Sequence, residues 1–475
     1  MPTQTINFNE WLPDQPNIID GLSDAKNVVP AQVGYRPIQS IDDYSNSASE
    51  NMNNITVGYY NETTSIFGGG ATKLFKYNST TSNMDDVSQV GDYSGSNRWQ
   101  FIQFGQSLLA ANGTERIQKW TLESSSAFAD LAANAPTAKY IAAVRDFVVG
   151  ANLSSTETNK VQWSDINNEG SWTSGGASQA DYQIIPTGDI TGISGGEFGI
   201  IFTKRSLHRM TYIGSPLFWQ FDLISDNIGC TIPNSIARYG NNSFFYSEDG
   251  FYMTDGSQAI PIGAEKIDKY FKDNADASNF NTLSCAIDPI AKIVVWCYKN
   301  TSGSQELLIY NWNVNRWSRA ETIADYVSDI ATPSVTLEGL DSISASIDAL
   351  GASLDSPLWV GGQYLFAGIN DAKIATFSGA NKTGELITND IELGLNSVVT
   401  LARPTVYNGS ANISVASRKN LDDGIVFSSS VTADDEGRCG LRSAGRYHRI
   451  KLIPTGANWK NVVNVNLEYA DQGGR

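Results

Sequence analysis

Two histidines, four cysteines and a few adjacent carboxylates are the side chains in this sequence with the most chemistry to offer. A histidine beside a serine and a carboxylate could run acyl transfer, but no G-x-S-x-G elbow is present. His208 and His448 each fall inside a run that reads as a strand, and Arg209 after His208 predicts a solvent-facing position for that histidine. Cys230, Cys285, Cys297 and Cys439 make no C-x-x-C pair and have no histidine cluster beside them, so neither a zinc site nor a cofactor is expected. So few cysteines in so long a chain fit free thiols in a reducing cytosol. Gly68-Gly69-Gly70 before Thr72-Lys73 lacks the spacing of a phosphate loop and reads as a hairpin turn.

Carboxylate pairs deserve comparison with glycosidases, which work through two of them. The repeated turn of sialidase-like folds, Ser-x-Asp-x-Gly-x-Thr-Trp, has its nearest counterpart in residues 164–172, but Glu169 stands where the glycine belongs and the segment does not recur. Asp85-Asp86 and Asp434-Asp435-Glu436 lie in polar stretches and read as solvated charge. No catalytic residues are assigned, and the chain is expected not to be an enzyme.

The elements that would have to position such groups are strands. The chain has 475 residues, 41% hydrophobic and 17% charged, with 42 Gly, 20 Tyr and 11 Trp, a composition of β structure with many tight turns. From about residue 55 a paired pattern recurs: an apolar or alternating run, a turn, then a second run. The runs begin at Ile66, Leu108, Phe147, Ile200, Phe244, Ile293 and Tyr364 and are answered at Lys73, Ile117, Val161, Leu207, Phe251, Leu307 and Lys373. Each pair reads as a hairpin, with Asn112-Gly113 and Asp249-Gly250 as turn signals. Spacings of about 40 to 50 residues match a four-stranded propeller blade. The expectation is an all-β chain: a β-propeller of six or seven blades over residues 51–389. A large irregular β-sandwich is the alternative.

Residues 1–50 read as an extended arm, because prolines recur at short intervals without a sustained period. Its apolar anchors are Trp11, Leu12, Val28 and Tyr35. They are few, so loss of residues 1–40 is expected to spare the propeller and weaken assembly. Residues 390–475 hold five strand-like runs, around Val398, Asn412, Ile425, Arg446 and Val462, and suit a small C-terminal β-sandwich. Arg438, Arg442, Arg446, Arg449 and Lys451 gather there, either as ordinary surface charge or as a contact to an acidic neighbouring subunit.

The last hairpin is delayed by an insertion, residues 336–356. Leu340, Ile343, Ile347, Leu350 and Leu354 follow a 3-4-3-4 spacing, and Asp341, Asp348 and Asp355 recur every seven residues. As a helix this makes a narrow apolar seam beside an acidic stripe. It is a candidate for subunit or channel contacts, or else a loop docked on its own propeller.

Net charge is −17. Tight binding to nucleic acid draws on basic surface, so sequence-reading of DNA is not expected, whereas an acidic wall would let a duplex pass without sticking. Residues 1–9 have no basic-then-apolar leader, and no apolar run approaches membrane-spanning length.

The arm resembles the start of the packaged-DNA stabilisation, or tail hub and nozzle, family of short-tailed bacteriophages. The residues that carry this are Glu10-Trp-Leu-Pro-Asp-Gln-Pro16, Gly21-Leu22, Ala25, Asn27-Val-Val-Pro30 and Gly34-Tyr-Arg-Pro37. The Leu-Asp-Ser repeats of the insertion (340–342 and 354–356) and the ending Gly445-Arg-Tyr with Gln472-Gly-Gly-Arg475 are similar too. The resemblance implies a propeller-based, virion-tail subunit, commonly a homohexamer, assembled in the host cytoplasm. It implies a place below the portal and its adaptor proteins, with tail fibres or a needle attached and double-stranded DNA passing. No catalytic residues come with it. The other class kept open is a propeller-type receptor-binding or glycan-cleaving tail protein.

Overall fold

The computed structural model describes residues 1–61, 63–95, 97–331, 346 and 364–471. The insertion candidates Leu340, Asp341, Ile343, Ile347, Asp348, Leu350, Leu354 and Asp355 lie outside the described residues.

Each of the seven sequence hairpins becomes the middle pair of strands in a four-stranded unit, such as Phe147–Ala151 with Lys160–Trp163. An inner strand precedes each pair, and an outer strand completes the unit. Six of these units are independent four-stranded sheets. Five follow one another along the chain, with inner strands Met52–Tyr60, Gln100–Phe104, Tyr140–Val144, Ile190–Ser194 and Ala237–Tyr239. They are numbered here as the first to fifth blades. The sixth independent sheet closes the ring: its strands Tyr326–Ala331, Tyr364–Asn370 and Lys373–Thr376 are completed by Asp42–Asp43 from the other end of the chain. Between the fifth and the closing blade stand four further strands, Ser284–Asp288, Ile293–Lys299, Gln305–Asn311 and Arg316–Glu321. Their sheet runs on into the C-terminal region, so this unit is called the continuous blade. The architecture is an all-β propeller.

Apolar side chains alternate between the two flanks of each blade and meet those of its neighbours. Phe67 and Leu74 pack towards Leu108 and Trp120 of the second blade, whereas Ile66 and Phe75 pack towards Ile330 and Ile374 of the closing blade. Phe147, Val149 and Trp163 meet Ile201, Met210 and Trp219 in the same way. Because both faces of a strand are covered, alternation inside a blade does not mark a solvent side. That is why His208 is buried (6% exposed) rather than facing water as its sequence context predicted.

Turn chemistry is local. At Gly250 the backbone has φ +155, and the Asp268 carboxylate fills the space a Cβ would need while accepting the Phe251 amide at 3.0 Å. Gly68-Gly69-Gly70 is a correction: these residues end the strand Thr63–Gly70, and the turn follows at 71–72. Gly69 is there because Trp99 lies against it, within 2.7 Å of where a Cβ would stand.

The arm runs extended and is built into the body: Leu22–Lys26 lies inside the largest sheet, between Arg316–Glu321 of the continuous blade and Glu385–Thr388. Thr3–Asn7 pairs with the C-terminal strand Asn461–Asp471, and Val28–Pro30 with Tyr35–Pro37 forms that sheet's far edge. Pro30 and Pro37 end their strands, and Pro13 and Pro16 lie in the turns before Leu22, so no ladder bond is lost to them.

In the C-terminal region, long strands are shared between layers. Cys439–Thr455 pairs with Ile391–Tyr407 over its first half and with Ser410–Arg418 over its second. Val399, Ala402, Ile413, Val415, Ile450, Leu452 and Val465 fill the space between. The expected strand around Ile425 is absent; Val426 is exposed there and the segment is irregular.

Candidate functional site

The groups with chemical potential are spent on structure. His208 Nε2 lies 2.8 Å from Thr187 Oγ1 and 3.1 Å from Ser206 Oγ. His448 is fully buried, with Ser397 Oγ 2.8 Å from Nε2 and Ser417 Oγ 2.7 Å from Nδ1. Burial lowers its pKa to about 4, so the ring is neutral at physiological pH. Neither imidazole has a carboxylate partner among the described residues, which a serine–histidine–acid relay would need. The four cysteines are thiols, and burial pushes Cys230, Cys285 and Cys297 up to about 12. Such thiols are poor nucleophiles. The amides of Thr72 and Lys73, beside the glycine triplet, both donate to Glu50 Oε1, at 2.8 and 2.9 Å.

The Asp-box-like segment is a folded turn. Asp165 Oδ1 accepts the amides of Ile166 and Gln179, and Trp172 Nε1 donates to the Glu169 carbonyl. Glu169 ties two blades together through Ser107 and Lys119, at 2.8 and 3.0 Å. Hydrogen bonds from these two outweigh its desolvation and hold its carboxyl below the usual range.

The arm anchors lead to a cluster that sequence reasoning missed. Trp11, Val28 and Tyr35 are each at most 1% exposed, and Leu12 is half-buried. Trp11 meets Tyr270 edge-on at 4.9 Å, and Tyr35 donates to the Asn9 carbonyl. Beside them Asp24 of the arm receives a bidentate pair of bonds from Arg319, at 2.8 and 2.7 Å. Arg319 also donates to Glu306 at 2.9 Å, and Glu306 accepts the hydroxyls of Tyr270 and Tyr298. Burial and the Glu306 charge drive the Tyr298 phenol far above its ordinary value. Asp14 reinforces the clasp by accepting the Lys269 and Tyr270 amides at 2.7 Å each. Nothing in the sequence marks Asp24 and Arg319 as partners, because 295 residues separate them.

Of the basic residues singled out in the C-terminal region, Arg438, Arg446, Arg449 and Lys451 are paired within the chain, while Arg442 is exposed. Arg449, expected on the surface, is 6% exposed and shares the buried Asp390 with Arg418. Arg446 pairs with Glu392, Lys451 with Glu385, and Arg438 with Asp434 and Glu436.

The propeller axis holds a cavity of about 320 Å3, to which every unit of the ring contributes; its lining includes Thr56, Phe101, Ile193, Cys285 and Asp329. Asp329 is open to the cavity yet walled by protein, and this surrounding raises its carboxyl above the usual range. The cavity widens at one mouth into a second space of about 450 Å3. Arg98 stands at the junction of the two, donating to the Leu283 carbonyl at 3.1 Å, with its guanidinium 5.4 Å from the Tyr326 ring centre. Burial lowers its pKa. Among the described residues no cluster of three metal-ligating side chains occurs, and no helix is long and apolar enough to cross a membrane.

These features define a propeller. No family model matches the chain, and no curated protein matches it either. Among solved structures it is similar to the computationally designed Ika8 protein, at 10% identity and a TM-score of 0.38, covering 70% of this chain and 99% of that one. It is similar also to the Pan2 WD40 domain of Neurospora crassa, at 7% identity and TM-score 0.40, covering 73% and 96%. A chain of a mitotic checkpoint complex matches at 8% identity and TM-score 0.38, covering 72% and 93%. Likenesses this distant carry no functional argument.

Proposed function

We propose that this chain is a structural subunit of the tail of a short-tailed bacteriophage. In this reading it is the hub or nozzle below the portal and adaptor, walling the DNA exit channel as a homohexamer and helping to retain the packaged genome. The observation that carries the reading is the meeting of its two resembling ends. The arm strands Leu22–Lys26, Val28–Pro30 and Tyr35–Pro37 and the strand Cys439–Thr455, which bears Gly445-Arg-Tyr447, belong to one sheet although they come from opposite ends of the chain. These similar stretches therefore share a single body, while the insertion repeats and residues 472–475 lie outside the described residues. The acidic balance and the structural use of both histidines support a role without turnover. An axial cavity of a few hundred Å3 has no room for a duplex, so DNA would pass between copies, with the seam of residues 336–356 as candidate contact.

Mass photometry and electron microscopy of the purified chain, alone and with the portal adaptor, test this. Closed rings that seat on the adaptor are expected. A chain that remains monomeric and ignores the adaptor would overturn the proposal. Reducing ends released over time from host polysaccharide would favour the glycan-cleaving class instead.

A further inference from the structure

The wider mouth of the axial cavity has a charge balance opposite to that of the chain. The protein carries 50 acidic and 33 basic residues, yet among the described residues the lining of this mouth contains Arg98 and Lys139 and no carboxylate. Neither cation has an ion-pair partner among the described residues: Arg98 is held by one carbonyl and the Tyr326 ring, and Lys139 Nζ lies 5.7 Å from the Tyr140 ring centre. Unpaired cations in a walled space are costly and call for a counter-charge. Around them stand uncharged hydrogen-bonding groups. The Asn53 amide oxygen is enclosed without a partner, Asn234 gives its amide N–H to the Asn281 carbonyl and keeps its oxygen free, and Gln100 lines the same wall. Tyr140, 4% exposed, lines the same wall.

We infer that this mouth is a binding site for a small hydroxylated anion, a sugar acid or sugar phosphate. The guanidinium fork of Arg98 suits a carboxylate or phosphate, Lys139 adds a second charge, and a ligand hydroxyl would donate to the Asn234 amide oxygen. A space of about 450 Å3 admits a ligand of monosaccharide size and excludes a polymer chain from its depth. The inference is independent of the tail proposal, because it depends only on the lining of a cavity within one chain.

Calorimetric titration of the full-length protein at low salt, with inorganic phosphate, glucose 6-phosphate, glucuronate and glucose, tests it. Saturable binding of phosphate and of at least one charged sugar is expected, weakening as salt rises, with none for glucose. Preference for glucuronate over glucose 6-phosphate, or the reverse, identifies the anionic group. Arg98→Gln should weaken binding by about tenfold or more, and Lys139→Gln by about threefold, with circular dichroism unchanged. If no anion binds, or if a folded Arg98→Gln protein keeps its affinity, the site does not exist. Should Arg98→Gln fail to fold, unchanged affinity in both Lys139→Gln and Asn234→Ala would overturn the inference equally.

Discussion

The first four blades and the continuous blade solve the same packing problem with different chemistry. Between the first four, contact is largely apolar and made by elements close in sequence, such as Phe147 against Trp219 at 5.1 Å. Their outer rims are open, and all four residues of Asp181–Ile184 are exposed. The continuous blade has no open rim. Its fourth strand, Arg316–Glu321, is covered by the arm strand Leu22–Lys26, and inside that contact lie two carboxylates, an arginine and two tyrosines. Apolar flanks suffice where the neighbour is the next segment of chain. A partner from the far end of the chain must be chosen among many strands, and a bidentate charge pair discriminates register as apolar contact does not.

That contrast can be broken most severely by deleting residues 1–40. Trp11, Leu22, Val28 and Tyr35 are essentially fully buried, and each such side chain contributes roughly 1.5–3 kcal/mol or more. Their loss matches the whole stability of a typical domain. The truncated chain is expected to be insoluble or molten, not the folded propeller that the sparse anchors suggested. A cooperative urea transition near the wild-type midpoint would refute the clasp as the origin of stability.

The next largest effect is expected from Asp24→Ala, which removes two of the three charge-assisted bonds of Arg319 and leaves only that to Glu306; it should cost about 2–4 kcal/mol in chemical denaturation. Combining Asp24→Leu with Arg319→Met and Glu306→Gln should recover part of that loss, because the whole charge cluster is then removed together. If the triple change were as damaging as the sum of its parts, register selection by charge would be the wrong explanation.

His448 provides a smaller, pH-dependent test. Its folded pKa of about 4 lies below the ordinary 6.5, so the unfolded chain takes up the proton first as pH falls. The stability from its neutral burial is whole above pH 6.5 and lost between 6.5 and 4. Replacement by Asn should flatten that part of the stability profile by ~1–3 kcal/mol. A profile unchanged by the substitution would mean that the imidazole is not kept neutral by the fold.

At the open rims the expected change is close to nil. Ile184→Ser and Leu217→Ser alter residues 53% and 71% exposed, and monomer stability should stay within about 0.5 kcal/mol. Hydrogen exchange sharpens the point: Asp181–Ile184 should exchange first, and Leu22–Lys26 together with the continuous blade last. Equal protection in both places would erase the distinction.

The hairpins were legible in the sequence because a strand's period of two and the turn preferences of Asn-Gly and Asp-Gly act over a few residues. Seven such pairs at blade-length spacing led to the ring. The arm's anchors were legible too, as isolated aromatic and aliphatic residues that had to be buried somewhere. Where they are buried was not legible. Only closure of the ring brings Asp24 to Arg319, Asp42–Asp43 to Lys373–Thr376, and Thr3–Asn7 to Asn461–Asp471. The same holds for His208 and Arg449, whose neighbours in sequence resemble those of surface residues. Their burial depends on a second blade or layer supplied from elsewhere. Arg98 gives no sequence signal at all, being one arginine in a polar stretch; its place on the axis exists only once every blade is present. Local backbone geometry thus determined the elements, and long-range closure decided which charges were enclosed and which faced a cavity.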